Sequence, residues 1–207
     1  MSAVDTLSNR TKRPLLNIAR SVLFGLPAPD RGGRLWPLMA VAVWVLAVVR
    51  ATVLGYLVAF LPVAFFGADY VGTSAGRWYA ASGFVVFEEL ARWSYGLAAR
   101  RPVRAWLVFL VLIELVETVA YAYTGMADAL AHHRPFVTPA VYLLSRSPAI
   151  LLHIVATLVF ITVWKKRPAA MMAALAVVTV GHIAFDYAAP AIVTAMTGLD
   201  HVGAAPH

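Results

Sequence analysis

Five apolar stretches, each long enough to cross a lipid bilayer, take up most of this chain: residues 36–66, 78–97, 103–123, 136–164 and 169–196. A helix rises about 1.5 Å per residue, so roughly 20 apolar residues cover a hydrocarbon core about 30 Å thick. In lipid, backbone N–H and C=O groups must be satisfied within a helix or a closed barrel, and these stretches lack the strict alternation of barrel strands. The predicted fold is therefore all-α: a polytopic helical membrane protein of about five transmembrane helices. Composition agrees, with 61% hydrophobic and 13% charged residues, where a soluble domain carries roughly 25% charged. The chain has no cysteine, which excludes disulfides and thiolate chemistry and leaves His and carboxylates as the metal ligands available.

The net charge is +7, yet the basic residues lie in short clusters between apolar runs and form no continuous polar face. Nucleic acid is therefore not the expected partner, and membrane lipid is. Arg10, Lys12, Arg13, Arg20, Arg31 and Arg34 precede the first run. Only Arg77, beside Asp69, occupies the next gap, followed by Arg100, Arg101 and Arg104, then Arg134 with Asp128, then Lys165, Lys166 and Arg167, and a tail with neither Lys nor Arg. Basic loops stay in the cytoplasm, so this alternation predicts five crossings with a cytoplasmic N-terminus. Residues 1–34 contain no long uncharged core and are not a cleavable signal; Leu15, Leu16, Ile18, Val22 and Leu23 recur at helical spacing and predict an interfacial helix. The domain plan is a cytoplasmic or interfacial segment over 1–34, one transmembrane domain over 35–197 and a loose tail over 198–207. Trp36, Trp78, Trp106 and Trp164 stand near run ends, as in an aromatic belt.

The first and fourth runs exceed one crossing. Arg50 could divide the first, but that would invert every later loop, so one span is expected there. In the fourth, Ser145-Arg146-Ser147-Pro148 has the composition of a helix start, leaving the preceding segment re-entrant or interfacial.

Besides Arg50 in the first run and Arg104 at the start of the third, nine ionisable residues lie inside the runs: Glu88, Glu89, Arg92, Glu114, Glu117, Arg146, His153, His182 and Asp186. Each ionised group at the bilayer centre costs at least about 2.5 kcal/mol on insertion scales, so these side chains must face one another or a water-filled cavity. Counting from run ends places Glu88, Glu114, His153 and His182 roughly 15–20 Å from a membrane surface, on four different helices near one depth. Glu88 and Glu89 lie four and three residues before Arg92, Glu114 three before Glu117, and His182 four before Asp186, so each set can share a helical face. Arg146 is expected to be an interfacial or structural arginine.

The segment Phe87-Glu88-Glu89-Leu90-Ala91-Arg92, the later span bearing His153, the Lys165-Lys166-Arg167 turn and the motif His182-x-x-x-Asp186 resemble the YhfC-like branch of intramembrane proteases. That branch is grouped with PrsW and the CAAX prenyl endopeptidases. The likeness covers about residues 80–190. It implies a prokaryotic plasma-membrane hydrolase in which a glutamate activates water, with Glu88 and Glu89 as the paired glutamates, Arg92 as the basic residue, and His153 and His182–Asp186 as the later motifs. Glu114 and Glu117 stand closer to the FxxxE of PrsW than to the FxxxH of CAAX enzymes, and the Phe is absent.

Two chemistries fit these residues. In one, Glu88 or Glu89 is the base, Arg92 holds the second carboxylate, His153 and His182 donate to the oxyanion, and Asp186 fixes the tautomer of one imidazole. In the other, His153, His182 and Glu88 (or Glu114) bind a divalent metal such as Zn²⁺ and leave a position for water. The substrate implied is a hydrophobic or lipidated membrane peptide. The competing classes are a proton-coupled transporter that uses the carboxylates as a relay, a bis-histidine haem carrier, and a non-catalytic binding or immunity protein in which the ion pairs only lock helices.

Overall fold

A computed structural model describes residues 14–20, 26, 28–31, 33–133 and 138–197. Five long helices follow one another: α1 (Trp36–Phe66), α2 (Ser74–Ala98), α3 (Pro102–Ala131), α4 (Pro139–Val163) and α5 (Pro168–Thr197), with short 3-10 turns at Gly33–Leu35 and Ala68–Gly72. No strand occurs among the described residues, and the protein is an all-α, polytopic helical protein. Four helices (α1, α3, α4 and α5) are long and apolar enough to cross a membrane. The predicted tail over 198–207, with His201 and His207, lies outside the described residues, as does Arg134.

α2 is long enough to span but carries Glu88, Glu89 and Arg92 within five residues. Its position resolves the conflict. α2 packs against α1, α3 and α5, while α3 meets α4 and α4 meets α5, so α2 to α5 form a closed ring with α1 on its flank. Residues 91–96 of α2 are all buried. Over that stretch α2 is enclosed by its neighbours, so its charged groups can face partners on other helices and need not meet lipid.

Because lipid tails are as apolar as leucine, close packing and interhelical hydrogen bonds hold such a bundle together, with little help from the hydrophobic effect. Gly55 of α1 and Gly83 of α2 provide the close approach: a Cβ on Gly83 would stand 3.4 Å from the Gly55 carbonyl and the Ala59 nitrogen. The Tyr95 hydroxyl donates to the Ala40 carbonyl at 2.9 Å, joining α2 to α1. The Tyr142 hydroxyl donates to the Thr118 carbonyl at 2.6 Å, joining α4 to α3.

Trp106 departs from the aromatic-belt expectation. It is fully buried, and its indole Nε1 donates to the Arg92 carbonyl at 3.1 Å. Gly96 makes room for it, because a Cβ there would fall 2.0 Å from Trp106 Nε1. Gly96→Ala is therefore expected to displace the indole and lose at least about 2 kcal/mol of stability, an overpacking cost with a lost hydrogen bond added. Denaturation in detergent followed by tryptophan fluorescence measures it, and a variant as stable as the parent would contradict the close fit.

α4 also departs from expectation, running unbroken from Pro139. Its start is Thr138-Pro139: the Thr138 hydroxyl caps the Val141 N–H and Pro139 occupies the first turn. The Ser145–Pro148 sequence carries the same start signal but lies inside the helix. Pro148 offers no N–H to the carbonyl one turn earlier. The Ser147 hydroxyl donates to that Leu144 carbonyl at 2.7 Å, and Ser145 does the same for Tyr142. No re-entrant piece forms over 139–163. α1 is likewise one continuous helix through Arg50.

Residues 14–20 are helical, but the segment is tucked into the bundle end. Leu15 and Ala19 are buried in a cluster with Trp93, Trp106, Phe160 and Met171. Asp30 accepts hydrogen bonds from the backbone N–H groups of Arg100 and Arg101 at 3.0 Å each. The N-terminal segment, the α2–α3 turn and the α4–α5 turn thus share the end of the bundle that carries the basic clusters.

Candidate functional site

These nine ionisable residues converge inside the ring formed by α2 to α5. α2 contributes Glu88, Glu89 and Arg92. The spacing of three and four residues puts both carboxylates within reach of one guanidinium: Arg92 Nη1 donates to Glu89 Oε1 at 2.7 Å and Nη2 to Glu88 Oε1 at 2.6 Å. Glu89 and Arg92 are fully buried, whereas the Glu88 side chain is 23% exposed. Helical geometry sets adjacent residues about 100° apart, so Glu89 turns toward α5 while Glu88 turns into the centre.

α5 answers with His182, whose Nδ1 lies 2.7 Å from Glu89 Oε1. α3 and α4 supply a matching pair: His153 Nδ1 lies 2.5 Å from Glu114 Oε1. Each imidazole is thus engaged through Nδ1 by a carboxylate on a neighbouring helix. A carboxylate acceptor at Nδ1 places a proton on that nitrogen, so in the neutral imidazole Nε2 keeps its lone pair. His153 Nε2 stands 3.6 Å from Glu88 Oε1, and the two rings meet edge to face with centroids 5.1 Å apart.

Asp186 does not fix a tautomer. Its Oδ1 is 3.6 Å from His182 Nε2, beyond hydrogen-bond range, and its side chain is 40% exposed. The i to i+4 spacing makes the two residues neighbours, but Glu89 reaches the imidazole first, from α2.

Of the two expectations for Arg146, interfacial or structural, its position excludes the first. It is buried in the site, with Nη2 2.8 Å from Glu117 Oε2 and 3.7 Å from Glu114 Oε2, and its guanidinium lies over the Tyr121 ring at 4.5 Å. The signal that could have found it is the seven-residue interval to His153, two helical turns on one face of α4.

No family model, curated protein or solved structure matches this chain. Its chemistry is therefore argued from the site alone.

Among the described residues, two groups could hold a metal ion: Glu88 with His153 and His182, and Glu114 with Glu117 and His153, each with ligand atoms within 4.8 Å of one another. The second offers a single imidazole, whose Nδ1 is already taken by Glu114. The first fits better. Two imidazoles oriented through Nδ1 by carboxylates, with a third carboxylate opposite, form the donor set of an open two-His, one-Glu zinc site with its outer shell in place. Charge points the same way. Glu88, Glu89, Glu114, Glu117 and Asp186 share only Arg92 and Arg146 as guanidinium partners, so with all five ionised three negative charges are uncompensated and call for a cation or protons. Glu89 Oε2, Glu114 Oε2, Arg92 Nε and Arg146 Nε are buried and have no hydrogen-bond partner within the protein, and such groups need water or an ion beside them.

Access is one-sided. Toward the basic end, Trp93, Trp106, Tyr95, Phe109, Phe160 and Met171 are at most 1% exposed and form a packed floor. Toward the other end, Glu88, Glu117 and Asp186 are partly exposed, and Trp78 stacks on Tyr187 with ring centroids 4.4 Å apart.

Proposed function

We propose that this protein is an intramembrane peptidase that hydrolyses a hydrophobic or lipid-anchored peptide with water activated at Glu88. The observation that carries this is the pair of imidazoles pinned through Nδ1 by Glu89 and Glu114, with the partly exposed Glu88 3.6 Å from His153 Nε2. Peptide hydrolysis needs a base for water, a group to hold the oxyanion and a proton for the leaving amine. Glu88 has the exposure and the unengaged oxygen of a base, and as its conjugate acid it would return the proton to the amine. His153 and His182 present Nε2 to the same space. There they suit a Lewis acid better than an oxyanion, because an Nε2 lone pair cannot donate a hydrogen bond.

A divalent cation held by Glu88, His153 and His182 would polarise the attacking water or the scissile carbonyl, and Glu88 would then serve as its ligand in place of the base. Arg92 and Glu89 orient His182, and Glu114 orients His153. The packed floor argues against a transmembrane relay, which needs polar groups through to both faces. The sequence resemblance to the YhfC-like proteases supports the same chemistry. On this reading, by the positive-inside rule, the floor faces the cytoplasm and the open end the other side of a prokaryotic plasma membrane.

The purified chain in liposomes is expected to cleave transmembrane peptides presented from the open side. It is expected to take up about one Zn²⁺ per chain and to lose cleavage when a chelator removes the metal. His153→Ala and His182→Ala should each weaken Zn²⁺ binding by a factor of 10² or more, since a three-ligand site leaves no spare. A protein that cleaves none of a diverse panel of lipidated and transmembrane peptides and binds no divalent metal would dispose of the proposal.

A further inference from the structure

The basic end of the bundle carries a cleft that the ionisable site does not use. It opens between α1 and α3, lined by Asp30, by Trp36 and Ala40 of α1, by Arg101 just before α3, and by Arg104 and Val108 within it. α1 and α3 are both antiparallel to α2, so their first turns lie side by side at one end of the bundle, where the lipid headgroups begin. Toward the membrane centre, Trp44 of α1 packs edge to face on Phe109 of α3, with ring centroids 6.2 Å apart, and closes the space. The cleft has room at its mouth and none below.

Its chemistry is that of an anion site. The Arg104 guanidinium carbon lies over the Trp36 ring, 3.6 Å from the centroid. Stacking of this kind covers one face of the guanidinium and leaves the N–H groups around its edge able to donate in the plane. Both oxygens of Asp30 are occupied by the backbone N–H groups of Arg100 and Arg101, at 3.0 Å each, so that carboxylate fixes the turn into α3. Arg101 and Arg104 are exposed, and among the described residues neither guanidinium has a carboxylate partner. Two guanidinium groups against one carboxylate leave a single positive charge uncompensated in the cleft, which one phosphodiester would balance.

The surroundings say which phosphate. Leu107 and Val111, one and two turns beyond Arg104 along α3, are exposed. A ligand seated at the arginines therefore has apolar surface directly beneath it, on the membrane side. We propose that this cleft binds the phosphate of an anionic phospholipid, with Arg101 and Arg104 as its ligands and Trp36 as the platform that holds Arg104 in place. Arginine pairs with phosphate through two parallel N–H donors, and acyl chains would lie along the exposed face of α3. The site uses none of the residues of the peptidase proposal and does not depend on it.

The test is native mass spectrometry of the full-length chain in detergent, titrated with phosphatidylglycerol, phosphatidylcholine or phosphatidylethanolamine of the same acyl chains. Phosphatidylglycerol is expected to fill one site per chain with about tenfold higher affinity than either zwitterionic lipid. Arg101→Gln with Arg104→Gln should lower that affinity about tenfold. Lys165→Gln with Lys166→Gln removes the same charge at the same end, outside the cleft, and should leave it near the parent value. Trp36→Leu keeps every charge and should weaken binding about threefold by freeing Arg104. Inorganic phosphate should not displace the lipid. Circular dichroism checks that each variant keeps its helices, and if the double arginine variant does not, Arg104→Gln alone carries the comparison, with an expected loss of about threefold. Phosphatidylglycerol bound no more tightly than the zwitterionic lipids, or an unchanged affinity in a folded arginine variant, would overturn the proposal. An equal loss in the lysine variant would do so too, since it would mean diffuse attraction to a basic surface, as would displacement by inorganic phosphate, which would make the ligand a free anion.

Discussion

Glu88→Gln is expected to lower peptide cleavage by about 10³-fold, within the range that a positioned general base contributes, while leaving the folded bundle nearly as stable as the parent. The two adjacent glutamates have different duties. Glu89 is fully buried, and its Oε1 is held by both Arg92 and His182 at 2.7 Å. It has no freedom to take a proton from water without breaking the contacts that orient an imidazole. Glu88 gives Oε1 to Arg92 at 2.6 Å, is partly exposed and faces His153 Nε2 at 3.6 Å. A glutamine there keeps the shape and can still accept from Arg92, but it can neither take a proton nor supply an anionic ligand. Glu89→Gln should instead act through His182 and cost stability as well as activity. The measurement is cleavage of a fluorogenic transmembrane peptide alongside thermal unfolding of both variants. Folded Glu88→Gln retaining activity within tenfold of the parent would remove Glu88 from the chemistry.

Much of this arrangement was legible before coordinates, for a physical reason. Lipid penalises charge so heavily that nine ionisable residues in apolar runs had to meet, and a rise of about 1.5 Å per residue was enough to put Glu88, Glu114, His153 and His182 at one depth. The split between Glu88 and Glu89 also followed, because adjacent helical residues diverge by about 100° and cannot both face one point. What stayed hidden depended on which helix neighbours which. Asp186 was the obvious partner of His182 by spacing, but α2 packs against α5 and brings Glu89 closer. Arg146 looked interfacial because its partners, Glu117 and Glu114, lie on another helix at a sequence distance no local pattern spans. Trp106 looked like a belt residue because its place in the core depends on Gly96, ten residues earlier, being too small to exclude it. At Pro148 the local signal was real but ambiguous: a serine before a proline caps a helix start, and the same serine can also satisfy the carbonyl that the proline leaves free.

The largest loss of stability is expected from Arg92→Met, about 3–5 kcal/mol, the usual cost of removing one partner from a buried ion pair. Methionine fills much of the volume and can keep packing near Phe109, whose ring centroid lies 5.8 Å from the guanidinium carbon, so the loss reports charge more than cavity. Without the guanidinium, the fully buried Glu89 faces His182 alone and Glu88 loses its 2.6 Å contact. Two carboxylates one residue apart are then left in a low-dielectric interior with no cation between them. If the charge is the cause, neutralising the stranded partner must help: Arg92→Met with Glu89→Gln should be more stable than Arg92→Met alone by about 1–2 kcal/mol, a coupling within the range of contacting residues. Denaturant titration in bicelles gives all three stabilities. Arg92→Met falling less than about 1 kcal/mol below the parent, or a double variant no better than the single one, would mean that packing holds this centre together and that its carboxylates do not depend on the arginine, in which case the orientation of His182 through Glu89 would need another source.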